Sequence, residues 1–437
     1  MTPVLASVVL LVLVCLLLGT GVWIFSGLIM LGVVALWAIQ GFGLDRIGLI
    51  ATKVISSGAV SWELAAVPMF MLMGEIIFRT DISARLFSGL APIVRYVPGR
   101  LLHTNILGCT IFGAVCGSGT ATTATVGKIT IGELQRRGYD KDLVSGSLAG
   151  AGTFGLMIPP SIAIIIYGVI AEVSIAKLFA AGILPGLMLA FLYSGYIIVR
   201  ALLKPSIAPP ETTPGGVREI LVGLLQLGPF LLLMGVVIGS IYSGIATPSE
   251  AAAVGVAIAV IIAATTGQLS VRMIVEALSS TIRISTMIGV LVAASIFVST
   301  AIAYLHIPEA LTQGIASLNL APFALLLVLG LFYIVLGTFL DGTSMTVMTV
   351  PIVLPMVMHA GFDPIWFGIF LVIMIELSSL TPPVGLNINI LQGLTGQSFE
   401  RTVLAALPFF LLLCLGAAVI AVFPQIALWL PSLMTAR

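Results

Sequence analysis

Apolar stretches long enough to cross a membrane, separated by short polar segments, recur along the whole chain. A helix needs about 20 mostly apolar residues to span a hydrocarbon core about 30 Å thick. Such stretches lie at 3–24, 26–42, 61–79, 142–170, 178–200, 219–242, 249–267, 284–305, 365–394 and 402–430. The pattern predicts an all-α polytopic membrane protein with about ten full spans. The first stretch has no basic segment before it, so we interpret it as a retained helix rather than a signal peptide.

Two further apolar regions, at about 100–140 and about 323–363, are interrupted in the middle by small and hydroxyl residues. The central segments read GAVCGSGTATTATVG at 113–127 and GTFLDGTSMTVMT at 337–349. Each region predicts two short helices that meet at a polar tip. Because non-helical backbone at membrane depth is tolerated only inside protein or beside a water-filled cavity, we expect two re-entrant helical hairpins.

The two halves of the chain align at a constant offset of 223 residues. This offset pairs Gly119 with Gly342, Thr120 with Thr343, and the double proline at 159–160 with that at 382–383. Register kept without gaps across a hairpin tip and a double proline indicates a duplication.

The predicted units are 1–202 and 219–437, joined by a cytoplasmic linker at 203–218 that is rich in proline and glycine. Each unit holds a hairpin followed by a helix broken at the double proline, at 142–170 in the first and 365–394 in the second. With five spans per unit, the second unit is inverted relative to the first.

Composition and charge change this picture in two ways. With 59% apolar and 8% charged residues, the chain cannot be a soluble protein, since soluble domains carry about 25% charged residues. The net charge of +1 gives no electrostatic footprint for nucleic acid.

Six Lys and Arg residues lie in 95–141 and none in 318–364. Because cytoplasmic ends collect Lys and Arg, the first hairpin is predicted to enter from the cytoplasm and the second from outside.

The hairpin tips and the double-proline breaks form the polar set within the membrane. Broken helices free backbone carbonyls that suit a cation such as Na⁺, and their N-terminal ends can receive a carboxylate. Small and hydroxyl residues also let helices pack closely in lipid, but packing alone does not need a break at the same place in both halves. We therefore predict paired ion and substrate sites at Ser118, Gly119, Thr120, Thr122, Thr123, Pro159, Pro160 and Ser161, and at Asp341, Gly342, Thr343, Ser344, Thr346, Ser379, Thr381, Pro382, Pro383 and Asn387.

Acidic residues inside spans need a reason, because a charge at the bilayer centre costs about 2.5–3.5 kcal/mol on insertion scales. Asp341 stands where the first half has Ser118, and Glu376 stands where it has Thr153; either could bind a cation directly. We interpret Glu75 as the partner of Arg79 in an interfacial ion pair, with a proton relay as the alternative. Glu250 follows Thr247 and is predicted to lie in the first turn of a capped helix.

Catalytic patterns are absent from the sequence. There is no GxSxG nucleophile motif and no GxxxxGK[ST] phosphate loop, and the three histidines are not spaced as metal ligands. The chain is therefore predicted to be no enzyme, to hold no cofactor, and to take its energy from a gradient or from another subunit.

At these residues the chain resembles the large membrane subunit of the tripartite ATP-independent periplasmic (TRAP) transporters. The resemblance covers nearly the whole length and rests on GSGTATTATVGK at 117–128, RGYD at 137–140, GLMIPPS at 155–161, IIYG at 165–168, DGTS at 341–344 and TPPVG at 381–385.

The resemblance implies a multi-pass protein of the bacterial inner membrane, within the ion-transporter superfamily. It would import a small organic anion with Na⁺. From the oxygen atoms at the tips and the second break, we predict the Na⁺ site itself at Ser118, Thr120, Asp341, Thr343 and Thr381. In this family a periplasmic protein delivers the substrate, and a small four-helix membrane subunit accompanies the large one. Residues 100–170 and 323–394 would move against a scaffold as an elevator. Since this chain starts directly at its first span, the small subunit is expected to be a separate chain.

Two other functions compete with this one. The first is a stand-alone Na⁺- or H⁺-coupled symporter of the same superfamily for a dicarboxylate or citrate, which would need no binding protein. The second is an intramembrane enzyme acting through Ser118 or Asp341, against which the lack of a paired base or second aspartate motif counts. The sequence does not choose among the organic acids that the family transports.

Overall fold

The computed structural model describes residues 9–10, 12–13, 16–17, 20–59, 61–210, 216–307, 309–310 and 322–434. These residues form 18 complete α-helices and no β-strand. The first half contains α1 Ile24–Val34 with a π-helical turn Ala35–Ile39, α2 Leu44–Ala59, α3 Ala66–Phe78, α4 Ile82–Val94, α5 Leu102–Cys116, α6 Gly119–Arg136, α7 Lys141–Ala151, α8 Ile162–Ile170 and α9 Ile175–Leu203. The second half contains α10 Val217–Tyr242, α11 Pro248–Thr265, α12 Val271–Tyr304, α13 Pro322–Gly337, α14 Gly342–His359, α15 Pro364–Ser378, α16 Leu386–Thr395, α17 Phe399–Val422 and α18 Gln425–Leu433.

Six of these helices, α9, α10, α11, α12, α14 and α17, are long and apolar enough to cross a membrane. The predicted span at 402–430 is divided in the structure, because the helix ends at Val422 and a new one begins after Pro424, which has no amide hydrogen to continue the ladder. Helices α2 and α4 were not predicted. Most of the predicted span 3–24, and residues 211–215 of the linker, lie outside the described residues.

Both predicted hairpins are present as pairs of antiparallel helices. In the first, Gly117 adopts a left-handed conformation (φ +61°) between α5 and α6, which a side chain would disfavour. The hydroxyl of Ser118 then accepts a hydrogen bond from the Ala121 amide and caps α6. In the second, the Asp341 carboxylate caps α14 by accepting from the amides of Thr343 and Ser344. Each tip is thus a turn followed by a side chain that satisfies helix N-terminal donors.

Helix boundaries follow the offset of 223 residues. Helices α6 and α14 start and end at equivalent positions, and α7 and α15 begin at equivalent positions. Asp140 and Asp363 cap α7 and α15 in the same way, each accepting from the amides two and three residues ahead. The peptide bonds Pro159-Pro160 and Pro382-Pro383 are both cis. The duplication read from the sequence is therefore also present in local structure.

The two hairpins enter the molecule from opposite ends. Helix α7 starts at the base of the first hairpin and leads to its tip, where Gly155 packs on the backbone of Ser118. Beyond the double proline, α8 continues along α14 to Tyr167, whose hydroxyl donates to the carbonyl of Pro364 (2.5 Å) at the base of the second hairpin. The segment formed by α7, the double proline and α8 thus runs from the base of the first hairpin to the base of the second. The two tips lie between these bases.

The core of the molecule lies around α7 and α15. Every residue of α15 from Trp366 to Ser378 is buried, as is every residue from Leu143 to Gly155. The broken helices therefore support the tips from the core of the molecule. Helix α10, by contrast, exposes most of its apolar residues.

Candidate functional site

A cavity of about 290 Å³ lies between the two hairpin tips. The first tip contributes Ser118 and Thr120, the second contributes Asp341 and Thr343, and Ser379 follows α15. Helices α3 and α12 also line the cavity, with Met71, Glu75, Ile284, Met287 and Ile288 among their lining residues. The tips predicted from separate halves of the sequence are thus brought together around one space.

Four helices begin at the wall of this cavity. Gly119 and Gly342 open α6 and α14, while Ile162 and Leu386 open α8 and α16, and all four residues line the space. The N-terminal end of a helix carries a partial positive charge and four amides without an intrahelical partner. Ser118, Asp341 and Ser161 cap one or two of these amides in α6, α14 and α8, and the remaining amides of the four ends can hold an anion without a basic side chain.

The remaining hydroxyl groups of the predicted site bond to nearby backbone or to the cap. The Thr122 and Thr123 hydroxyls donate to the carbonyls of Ser118 and Gly119 at 2.7 and 3.0 Å. Thr346 and Thr381 donate to Gly342 and Leu377, and Ser161 to Leu156. The Ser344 hydroxyl donates to Asp341 (2.5 Å). These groups build the tips, while Ser118, Thr120 and Thr343 are the hydroxyls of the tips that line the cavity.

The two breaks differ in their surroundings. Pro159 and Pro160 are buried, whereas Pro382 and Pro383 are exposed. Asn387, after the second break, is buried and donates from its amide nitrogen to the Ala149 carbonyl (3.1 Å). Its side-chain oxygen has no hydrogen-bond partner among the described residues.

The Asp and Glu side chains that line the cavity are Glu75 and Asp341, and no described Lys, Arg or His lines it. Glu75 is paired with Arg79 (3.1 Å), as expected from the sequence, and Arg79 also bonds Glu276 of α12 (3.0 Å). The Ser280 hydroxyl donates to the other oxygen of Glu75 (2.7 Å). Sequence reasoning missed that α3 and α12 form a wall of the site, although Glu75 itself stood out as an acid within an apolar run.

Glu250 lies in the first turn of α11, as predicted, and forms a capping box with Thr247. Within the part of the chain that is described, no group of three or more His, Cys, Asp or Glu residues could hold a metal ion.

Comparison with known proteins gives consistent matches over nearly the full length. Residues 9–426 match the family described as tripartite ATP-independent periplasmic transporter, DctM component. The chain is 31% identical over 392 residues to the C4-dicarboxylate TRAP transporter large permease protein DctM of Pseudomonas aeruginosa, covering 90% of this chain and 91% of that protein.

Two further relatives carry other substrate names. The ectoine TRAP transporter large permease protein TeaC of Halomonas elongata is 31% identical, covering 85% of this chain and 86% of that protein. The sialic acid TRAP transporter large permease protein SiaM of Vibrio cholerae is 29% identical, covering 88% of this chain and 89% of that protein. A solved structure, the YdaH transporter of Alcanivorax borkumensis, has a TM-score of 0.61 at 15% identity and covers 90% of this chain and 89% of that chain. At that identity the likeness supports the fold alone.

Proposed function

The chain belongs to the DctM family of TRAP transporters, and from that premise we propose that it imports a small organic anion together with Na⁺. Family membership makes it a multi-pass transport protein of the bacterial inner membrane and not an enzyme. The substrate class, the coupling ion and the mechanism are the proposed part.

The observation that carries the proposal is the cavity ringed by four helix N-termini. Its volume of about 290 Å³ suits a small organic acid. Amides at the starts of α6, α8, α14 and α16 would receive a carboxylate, because helix N-terminal ends favour negative charge. The substrates named for the three relatives above all carry a carboxylate group, which supports the same class here.

Na⁺ would offset the negative charge of the carboxylates Glu75 and Asp341 that line the cavity. Ser118, Thr120, Asp341 and Thr343 offer hard oxygen ligands at the two tips, with the freed carbonyls and Thr381 near the second break. The Asp341 carboxylate already accepts from two amides and one hydroxyl, so a bound cation would share it with the helix cap. Without Na⁺, an anion would meet two carboxylates and no lining Lys or Arg among the described residues.

Transport would follow an elevator mechanism. The two hairpins and broken helices, α5–α8 and α13–α16, would move as the transport domain against a scaffold that includes α3 and α12. The cavity supports this division, because its lining comes partly from the two tips and partly from α3 and α12. A small membrane subunit and a periplasmic binding protein would complete the transporter.

The test is uptake of labelled substrate into proteoliposomes that contain the chain with a candidate small subunit, with the binding protein added outside. We expect uptake to need an inward Na⁺ gradient and both partners. Uptake by the chain alone would contradict the tripartite assembly and favour a stand-alone symporter, and uptake driven equally by K⁺ would contradict Na⁺ coupling.

A further inference from the structure

Thr153 and Glu376 occupy equivalent positions in the two halves, 223 residues apart, and they face each other in the structure. Two residues related by a two-fold axis can meet only at that axis. In an inverted repeat the axis lies in the membrane plane, near mid-depth. The predicted inverted repeat would therefore place the carboxyl group of Glu376 near the bilayer midplane.

The surroundings of Glu376 offer this carboxyl group no charged partner. The residue is fully buried. The Thr153 hydroxyl lies beside the carboxyl group but donates its hydrogen to the Gly150 carbonyl (2.8 Å), so that neither carboxyl oxygen accepts a hydrogen bond from a described residue. Tyr193, which approaches from α9, donates to the Phe409 carbonyl (3.1 Å).

No cationic side chain faces the carboxyl group from the described helices around it. The helices around Glu376 are α7, α8, α9, α13, α14, α17 and α18. Their ionisable residues are neutral tyrosines and a cysteine, or charged residues that lie at helix ends, and α18 has none. They are Lys141, Asp142, Tyr167, Lys177, Tyr193, Tyr196, Arg200, Tyr333, His359, Glu400, Arg401 and Cys414, with Asp341 and Asp363 capping α14 and α15.

An ionised carboxylate in this position would be a buried charge without a counter-charge, which costs several kcal/mol. A Na⁺ ion would need several oxygen ligands. Tyr193, the polar side chain that approaches from α9, is itself packed among aromatic rings, with Phe154 stacked on it and Phe409 at its edge. Binding of a proton removes the charge without any further ligand.

We propose that Glu376 is a proton-binding site in the middle of the transport domain, occupied in this conformation. The site is separate from the cavity, because the neighbours Ile375 and Ser379 line the cavity while Glu376 does not. The bound proton lies at the meeting point of the two halves, so the domain would be competent to move only when Glu376 is neutral. That last statement rests on the proposed transport function; proton binding itself does not.

The direct test is infrared spectroscopy of the full chain in lipid nanodiscs at neutral pH. A protonated carboxylic acid has a C=O stretching band separate from those of carboxylates, and the band shifts in D₂O. We expect such a band in the wild type, its loss in Glu376→Gln, and its persistence in Glu75→Gln, which changes an acid that is already ion-paired. A wild-type spectrum without the band, or one unchanged by Glu376→Gln, would overturn the proposal.

A second measurement begins with the wild type alone. Its thermal unfolding should move to lower temperature as the pH is raised from about 5 to neutral, because the unfolded chain releases the Glu376 proton over this range while the folded protein keeps it. If Glu376→Gln is monodisperse, its unfolding temperature should lose this pH dependence, and its uptake should lose any sensitivity to alkaline pH. A wild type without this pH dependence, or an equal dependence in both proteins, would overturn the role of Glu376, whereas absence of uptake in every protein would count against the transport function only.

Discussion

The backbone of Gly342, at the start of α14, packs directly on the side chain of Ile375 in α15. A Cβ atom at residue 342 would lie 2.1 Å from Cγ2 of Ile375, far inside van der Waals contact. The tip of the second hairpin is thus set against the core helix that carries the buried carboxyl group.

Gly342→Ala should displace the second tip and lower uptake, on the order of tenfold or more, since small misplacements at a site have large effects on rate. Gly235→Ala in α10 is the matched control, because its added Cβ meets nothing within 4 Å. Uptake in proteoliposomes, together with the apparent affinity for Na⁺, checks the prediction. Equal uptake in both variants would contradict a functional tip.

Thr343→Val and Thr120→Val should each weaken the dependence of uptake on Na⁺ by removing a hydroxyl oxygen that lines the cavity. The expected result is a rise of about tenfold in the Na⁺ concentration for half-maximal uptake, equivalent to about 1.4 kcal/mol. Thr300→Val is the control, since that hydroxyl donates to Ile296 within α12 and does not line the cavity. An unchanged Na⁺ dependence in both tip variants would remove them from the ion site.

Arg136 and His359 occupy equivalent exposed positions at the ends of α6 and α14. Cysteines introduced at these two positions should react with a membrane-impermeant maleimide from opposite sides, residue 136 from the cytoplasm and residue 359 from outside. Labelling in intact cells and in inverted vesicles distinguishes them. Labelling of both from one side would contradict the inverted arrangement.

Arg79→Met should lower the free energy of unfolding by about 1–3 kcal/mol, because Glu75 and Glu276 lose a shared cation and Glu75 is largely buried. Arg272→Met removes the other arginine that bonds Glu276. It should change the melting temperature little, since that arginine is exposed and surface pairs contribute little. Thermal unfolding in detergent compares the two. A larger drop in melting temperature for Arg272→Met than for Arg79→Met would indicate that the ion pairs of Arg79 are not the ones that stabilise the scaffold.

The sequence predicted both hairpins, both breaks and the duplication, because Gly, Ser, Thr and Pro act on the local backbone. The types of these side chains do not by themselves determine which hydroxyls line the cavity. Thr120, Thr122 and Thr123 are of one residue type within one turn of helix, and only packing decides that Thr120 faces the cavity while Thr122 and Thr123 are fully buried. The offset identified Thr153 and Glu376 as counterparts, but their meeting depends on how the two halves are assembled.

The four helix N-termini around the cavity have a consequence for how this site can change over time. Affinity for negative charge that arises from backbone amides survives replacement of almost any single side chain. Substitutions at lining residues of α3 and α12 such as Met71, Ile284 and Met287 can then change the shape of the cavity without abolishing its preference for anions. A site of this construction can acquire a new substrate in small steps, each of which leaves a working anion carrier.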